Sequence, residues 1–306
     1  MPLSLSTVNS TSPAQRFRDA VDTHRPLPIV GTINAYCAML AKRAGHHAIY
    51  LSGAGVANAS FGLPDLGMTS LDNVLEDVRR ITAACDLPLL VDIDTGWGSA
   101  HGIARTMREM TRAGAAAVHM EDQISMKRCG HRPGKEVVST DEMVDRIKAA
   151  VDVGTRDIVM MARTDAVAVE GLESGIERSL RYVEAGAEMI FAEALRTLDE
   201  FKTFCSQVKV PVLANITEFG KTPLLKQSEL GSVGVSMVLY PLGAFRAMSR
   251  AAELVYQGLR DDRQADLIDK MQTREQLYEV LDYHRYEDQI DSLQSDPVKR
   301  TIRKEK

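Results

Sequence analysis

Residues 127–133 read Lys127-Arg128-Cys129-Gly130-His131-Arg132-Pro133, one thiol among three cations and an imidazole. Cationic neighbours favour a thiolate or a reactive thiol. Cys129 is therefore a candidate catalytic thiol, with Lys127 and His131 beside it as the groups that tune it. Gly130 and Pro133 mark a loop. The loop follows an apolar run ending in carboxylates, Val118-His119-Met120-Glu121-Asp122. Loops that leave buried strands are where catalytic groups collect. The plain alternative is a basic surface turn with an incidental cysteine.

Other apolar runs also end in polar groups. Asp92 and Asp94 stand two apart, so on a strand both would point the same way. Paired carboxylates of this kind suit Mg2+ or Mn2+. The alternative is one solvent-facing Asp and one helix cap. Ser52-Gly53-Ala54-Gly55 is a turn of small residues that can bring backbone N–H groups to an anion, or a plain connection. Arg163 can clamp a carboxylate, or simply pair with Asp165. Asn215 and Thr217 would share one side of a strand and can donate to an oxyanion. Tyr50, at a strand end, is the candidate base. His119, inside an apolar run, reads as a core histidine. The small-residue stretch 58–69, which holds Asp65, reads as a gate, and 130–135 as a second lid.

These groups need elements to hold them. Eight apolar runs are strand candidates: 28–34, 47–53, 87–95, 116–122, 157–165, 188–194, 210–217 and 235–241. Helical patterns lie between them, for example 71–84, 102–113, 140–153, 171–185 and 197–207. Ala-Gly pairs at 44–45, 113–114 and 185–186 end helical patterns just before strands. Strand–helix alternation repeated eight times predicts a (β/α)8 TIM-type barrel. A doubly wound open sheet is the rival, but no GxGxxG follows the first run. Helical patterns at 244–260, 267–271 and 274–281 follow the last strand, with no strand left to cover. The expected organisation is an extension 1–15, a barrel with C-terminal helices from about 244 within 16–293, and a flexible tail 294–306.

The bulk properties exclude some classes. The chain has 306 residues, 44% hydrophobic and 26% charged, enough for a large core. A net charge of −5 argues against a nucleic-acid binder. Cys37, Cys85, Cys129 and Cys205 form no CxxC pair, so a reducing cytosol fits. No run is long enough to cross a membrane, and residues 1–13 do not read as a secretory signal. A cytoplasmic protein is expected.

With these motifs in view, the chain resembles the isocitrate lyase/phosphoenolpyruvate mutase superfamily. The likeness rests on the Cys129 segment, the Asp92-x-Asp94 pair and Ser52-Gly53. Within the superfamily, 161–166, 213–220 and 271–274 are similar to the branch that cleaves 2-methylisocitrate. It covers about 16–293. The resemblance implies Mg2+, with Mn2+ possible, and cleavage of a tricarboxylate to pyruvate and succinate in the methylcitrate cycle. It implies Asp92 and Asp94 as metal ligands and Ser52, Gly53 and Ala54 at the oxo-acid end. Gly130, Arg163, Glu193, Asn215, Ile216, Thr217, Arg246 and Arg274 would contact substrate. It also implies a homo-oligomer, a tetramer, with C-terminal helices between subunits. One departure is visible, since Ala54 stands where the family pattern leads one to expect Gly. Its methyl narrows that turn.

Overall fold

The computed structural model describes residues 11–125, 127, 134–154 and 156–295. Eight short strands are present: β1 Leu27–Gly31, β2 Ile49–Leu51, β3 Leu89–Asp92, β4 Ala117–Glu121, β5 Val159–Thr164, β6 Met189–Ala192, β7 Val212–Asn215 and β8 Met237–Tyr240. Each runs parallel to the next, and β8 returns to β1 from Leu27↔Met237 to Val30↔Tyr240. The predicted (β/α)8 barrel is therefore closed, and helices follow its last strand. The strands are shorter than the apolar runs that announced them. Ile93 and Ile216 stay buried beyond the last residues of β3 and β7. Apolar character marks burial, whereas strand length depends on where the chain turns away.

Strand side chains alternate between two apolar layers. Leu90 of β3, Ala117 of β4, Val159 and Met161 of β5, and Leu213 of β7 fill the barrel interior. Their neighbours Leu89, Val91, Val118, Met160 and Val212 face the helices instead. That period of two is the strand geometry itself. The helix Pro13–Thr23 adds Ala14, Phe17 and Val21 to the interior cluster. Ser12 caps this helix by accepting from the Gln15 N–H at 3.2 Å, and Pro13 sits at its first position.

The helices between strands end as their sequence directs. Gly114, at φ +86°, follows the helix Ala100–Arg112, and its N–H donates to the Thr111 carbonyl at 3.0 Å. An αL residue here turns the chain back to the sheet with little strain only when it lacks a Cβ. The small-residue turn after β2 is a helical turn, Gly53–Gly55, continuing into a π-helical segment, Val56–Ser60.

Two compact units divide the chain, one ending at Ala247 and the other beginning at Met248. The second holds the later part of helix Gly243–Arg260, the helices Arg274–Leu281 and Tyr283–Ser295, and a 3-10 segment Gln264–Lys270 where a helix was predicted near 267–271. None of the described helices is long and apolar enough to cross a membrane.

Candidate active site

Continuing the alternation to the carboxyl ends of the strands turns polar groups inward. Tyr50, Asp92, Arg163, Phe191, Asn215 and Leu239 occupy inward positions, and all line one cavity of about 320 Å3. Ser52, Ala54, Asp65, Lys127, Glu193, Thr217 and Arg246 line the same space. Working groups of a barrel gather at this end.

Asp92 is the hub of one side. Its Oδ2 accepts the Gly53 N–H at 3.1 Å and its Oδ1 accepts the Asp94 N–H at 3.0 Å. Asp94 does not reach this corner by strand alternation, as the spacing suggested. β3 ends at Asp92, and Asp94 turns back with φ +49°. A Cβ built on Gly53 would lie 3.1 Å from both Asp92 Oδ2 and Asp94 Oδ1, so the two carboxylates share the space beside this glycine. Lys127 Nζ stands 2.5 Å from Asp94 Oδ1 and 2.8 Å from Asp65 Oδ1. The stretch 58–69 thus contributes Asp65 to the lysine.

Tyr50 and His119 close the corner from the inside. The Tyr50 hydroxyl lies 2.9 Å from His119 Nε2 and 3.5 Å from Asp92 Oδ2. Burial, and then the Asp92 charge, raise the phenol well above its ordinary range. The hydroxyl expected to act as base thus faces Asp92 and the His119 ring. Burial also lowers His119 to about 4, leaving a neutral ring. Burial alone would raise the Asp92 carboxyl. His119, Lys127 and Arg163 oppose this and hold it well below the usual carboxylate range. With the imidazole uncharged, the two permanent cations carry that effect. Asp94 is raised to about 6 by burial, with Asp92 adding to it.

Arg163 organises the other side. Its Nε donates to Asp165 Oδ2 at 2.9 Å and lies 3.4 Å from Glu121 Oε2, while Nη2 is 3.3 Å from Glu193 Oε2. The guanidinium also sits 4.9 Å from the Phe191 ring centre. Of the two sequence readings, pairing with Asp165 is present, and Arg163 faces the cavity as well. Asn215 Nδ2 donates to Glu193 Oε2 at 3.2 Å. Asn215 ends β7 and Thr217 lies beyond it, yet both line the cavity. Arg246 Nε lies 4.0 Å from Glu218 Oε2.

Two residues of β4 point the same way as the cavity-lining groups. His119 is fully buried, as a core histidine should be, and its ring also meets Tyr50 and Asp92. Glu121 is fully buried, and neither of its carboxylate oxygens has a hydrogen-bond partner. Position two and four residues after the inward Ala117 was the available signal, since alternation turns both inward. Asp92 and Asp94 are hard oxygen donors beside a glycine that keeps a methyl out, a pair that suits a divalent cation. Among the described residues, no group of three or more His, Cys, Asp or Glu is placed so that it could hold a metal ion. Such an ion would complete its shell with water or substrate.

The Ile216 side chain packs in the layer between strands and helices, because it takes the outward phase of the alternation. Arg274 is an exposed residue of the second unit, at the start of helix Arg274–Leu281. Cys129, Gly130 and His131 lie outside the described residues.

Comparison with known proteins follows from this geometry. Residues 17–260 match the family described as phosphoenolpyruvate phosphomutase. The chain belongs to the phosphoenolpyruvate phosphomutase family. Within that family it is similar to the 2-methylisocitrate lyase of Vibrio cholerae, 61% identical over 94% of this chain and 96% of the relative. Among solved structures of the family it resembles 2,3-dimethylmalate lyase, with a TM-score of 0.83 and 31% identity over 92% of this chain and 96% of that one. It also resembles phosphonopyruvate hydrolase in complex with oxalate and Mg++, with a TM-score of 0.79 and 26% identity over 94% of this chain and 100% of that one.

Proposed function

We infer that this enzyme is a carbon–carbon lyase that cleaves 2-methylisocitrate to pyruvate and succinate, with Mg2+ as cofactor and Mn2+ as its substitute. The observation that carries the reading is one cavity lined by Asp92, Lys127, Arg163, Asn215, Thr217 and Arg246, on a chain akin to 2-methylisocitrate lyases. A space of about 320 Å3 suits a small polyacid.

The reaction removes the substrate's hydroxyl proton and turns that C–O bond into the ketone of pyruvate. The electron pair of the broken C–C bond stays on carbon beside a carboxylate, and a proton there gives succinate. Asp92 and Asp94, with Glu121 behind them, would hold the Mg2+, which when bound lowers the cost of removing the hydroxyl proton and gathers negative charge. Ser52, Gly53 and Ala54 would bind the pyruvate half. Arg163, Asn215, Thr217 and Arg246 would neutralise and orient the carboxylates of the other half. Tyr50, which ends β2 beside Asp92 and His119, would take the hydroxyl proton as base. Cys129 would protonate the carbanion, with Lys127 and His131 tuning it and Gly130 giving close approach. Arg274 is proposed as a further substrate contact.

The proposed setting is propionate breakdown in the cytoplasm, and the proposed assembly is a homotetramer joined through C-terminal helices. Exposed apolar side chains of the second unit support the assembly, among them Tyr256, Ile268, Tyr286 and Ile290. The decisive experiment offers 2-methylisocitrate and isocitrate side by side to the purified chain. Pyruvate should form from the first, cease with EDTA and return with Mg2+, and Asp92→Asn should abolish it. Faster cleavage of isocitrate would overturn the substrate assignment.

A further inference from the structure

We propose that Lys135 is a positioning residue for Arg163, acting through a carboxylate that the two cations share, Asp165. The proposal rests on the reading of Arg163 as a substrate contact. Lys135 Nζ lies 2.5 Å from Asp165 Oδ1, with the two side chains 2% and 0% exposed. Asp165 Oδ2 accepts from Arg163 Nε at 2.9 Å, and Oδ1 also lies 3.4 Å from Arg163 Nη2. Lys135 is not among the residues that line the cavity, whereas Arg163 is. The contacts that join the lysine to the cavity run through Asp165 to Arg163.

Both outer partners are rigidly held. The Asp165 N–H donates to Asp122 Oδ1 at 2.8 Å, and Asp122 Oδ2 accepts from Thr164 Oγ1 at 2.8 Å and from the Tyr182 hydroxyl at 2.9 Å. The segment carrying Lys135 is tied down by Ile124 N–H to the Glu136 carbonyl at 3.1 Å and Val138 N–H to the Asp122 carbonyl at 2.9 Å. Arg178 Nη1 donates to the Val138 carbonyl at 2.8 Å. The guanidinium is the member that answers a change in charge in this arrangement. It stands among three carboxylates, Asp165, Glu121 and Glu193, and its place reflects the balance of their pulls. Lys135 takes up part of the Asp165 charge. Without it, Asp165 draws Arg163 harder, away from Glu193 and the cavity. Small displacements at a substrate clamp are costly in rate.

The test is a cycle of Lys135→Met, Asp165→Asn and the double variant in the Mg2+-loaded enzyme, reading kcat, KM and melting temperature. Lys135→Met should lower kcat about tenfold or more. In the Asp165→Asn background the same change should leave kcat unaltered, because the relay is already cut. Melting temperature should move differently. Asp165→Asn leaves Lys135 buried without its counter-charge, so adding Lys135→Met should raise the melting temperature. A wild-type kcat in Lys135→Met, or a kcat loss repeated in full on Asp165→Asn, would overturn the proposal. Should Lys135→Met fail to fold, the double variant against Asp165→Asn decides alone, and a lower kcat in the double refutes the relay. Failure of the lyase reading shows earlier, as wild-type enzyme that releases no pyruvate.

Discussion

Lys127 Nζ rests 2.5 Å from Asp94 Oδ1, where a divalent cation would also bind. The two side chains are 5% and 6% exposed, so the pair is desolvated. Removing one partner of a buried pair costs about 3–5 kcal/mol. Lys127→Met should therefore melt lower than wild type in EDTA. Mg2+ should then raise its melting temperature more than it raises that of wild type, because the ion replaces the missing cation. Thermal melts of both proteins across a Mg2+ series check this. Equal shifts would mean that lysine and ion do not share the carboxylates.

Glu121 gives a complementary prediction. Burial raises its carboxyl well above the ordinary range, against the pull of Arg163, which favours the neutral form. Glu121→Gln imitates that neutral form. Its melting temperature in EDTA should match wild type within the effect of an ordinary surface change, about 0.5 kcal/mol. The Mg2+ concentration for half activity should rise by about tenfold or more, since a charged ligand is lost. A Mg2+ titration of turnover provides the measurement.

Gly31 marks the closure of the barrel. A Cβ there would lie 1.7 Å from the Pro241 carbonyl oxygen, which is backbone and cannot rotate away. Gly31→Ala must push β1 from the end of β8. Overpacking of this kind costs about 1–3 kcal/mol. Pro241 also lines the cavity, so turnover should fall together with stability. Denaturant titration and kcat on the same preparation test the link. Wild-type stability would show that the seam can open at no cost.

The thiols should differ in reactivity. Burial raises Cys37 and Cys85 and pushes Cys205 up to about 11. Cys129 instead has Lys127, Arg128 and His131 as chain neighbours. One equivalent of iodoacetamide at neutral pH should label Cys129 and remove activity in proportion, as peptide mass spectrometry would report. Equal labelling of Cys205 would contradict this.

Cys205 also predicts a pH effect. The unfolded thiol ionises near 9.0 and the folded one near 11. Between these values the folded state holds more protons, so stability is complete below pH 9 and is lost as pH rises. Cys205→Ala should show a shallower alkaline decline in melting temperature than wild type.

Much of the site was legible because barrel strands alternate. Asp92, Arg163 and Asn215 close apolar runs, and each faces the cavity. Ile216 sits between two polar neighbours in sequence, yet its side chain takes the outward phase. Asp94 was placed correctly for the wrong reason. A left-handed turn, not a strand, brings it beside Asp92. His119 was read as core because apolar neighbours on the outward phase made its run look uniform.

The order of apolar runs, the small-residue turns and the Cys129 motif determined the barrel and the family from sequence alone, because burial and chain reversal are local demands. Which cation meets which carboxylate was decided only by the closed barrel. Lys127 reaches Asp94, Tyr50 reaches His119 and Arg163 meets Glu121 and Glu193 across different strands. A charge buried away from water takes its stability from partners within a few ångströms. Distance along the chain does not reveal those partners.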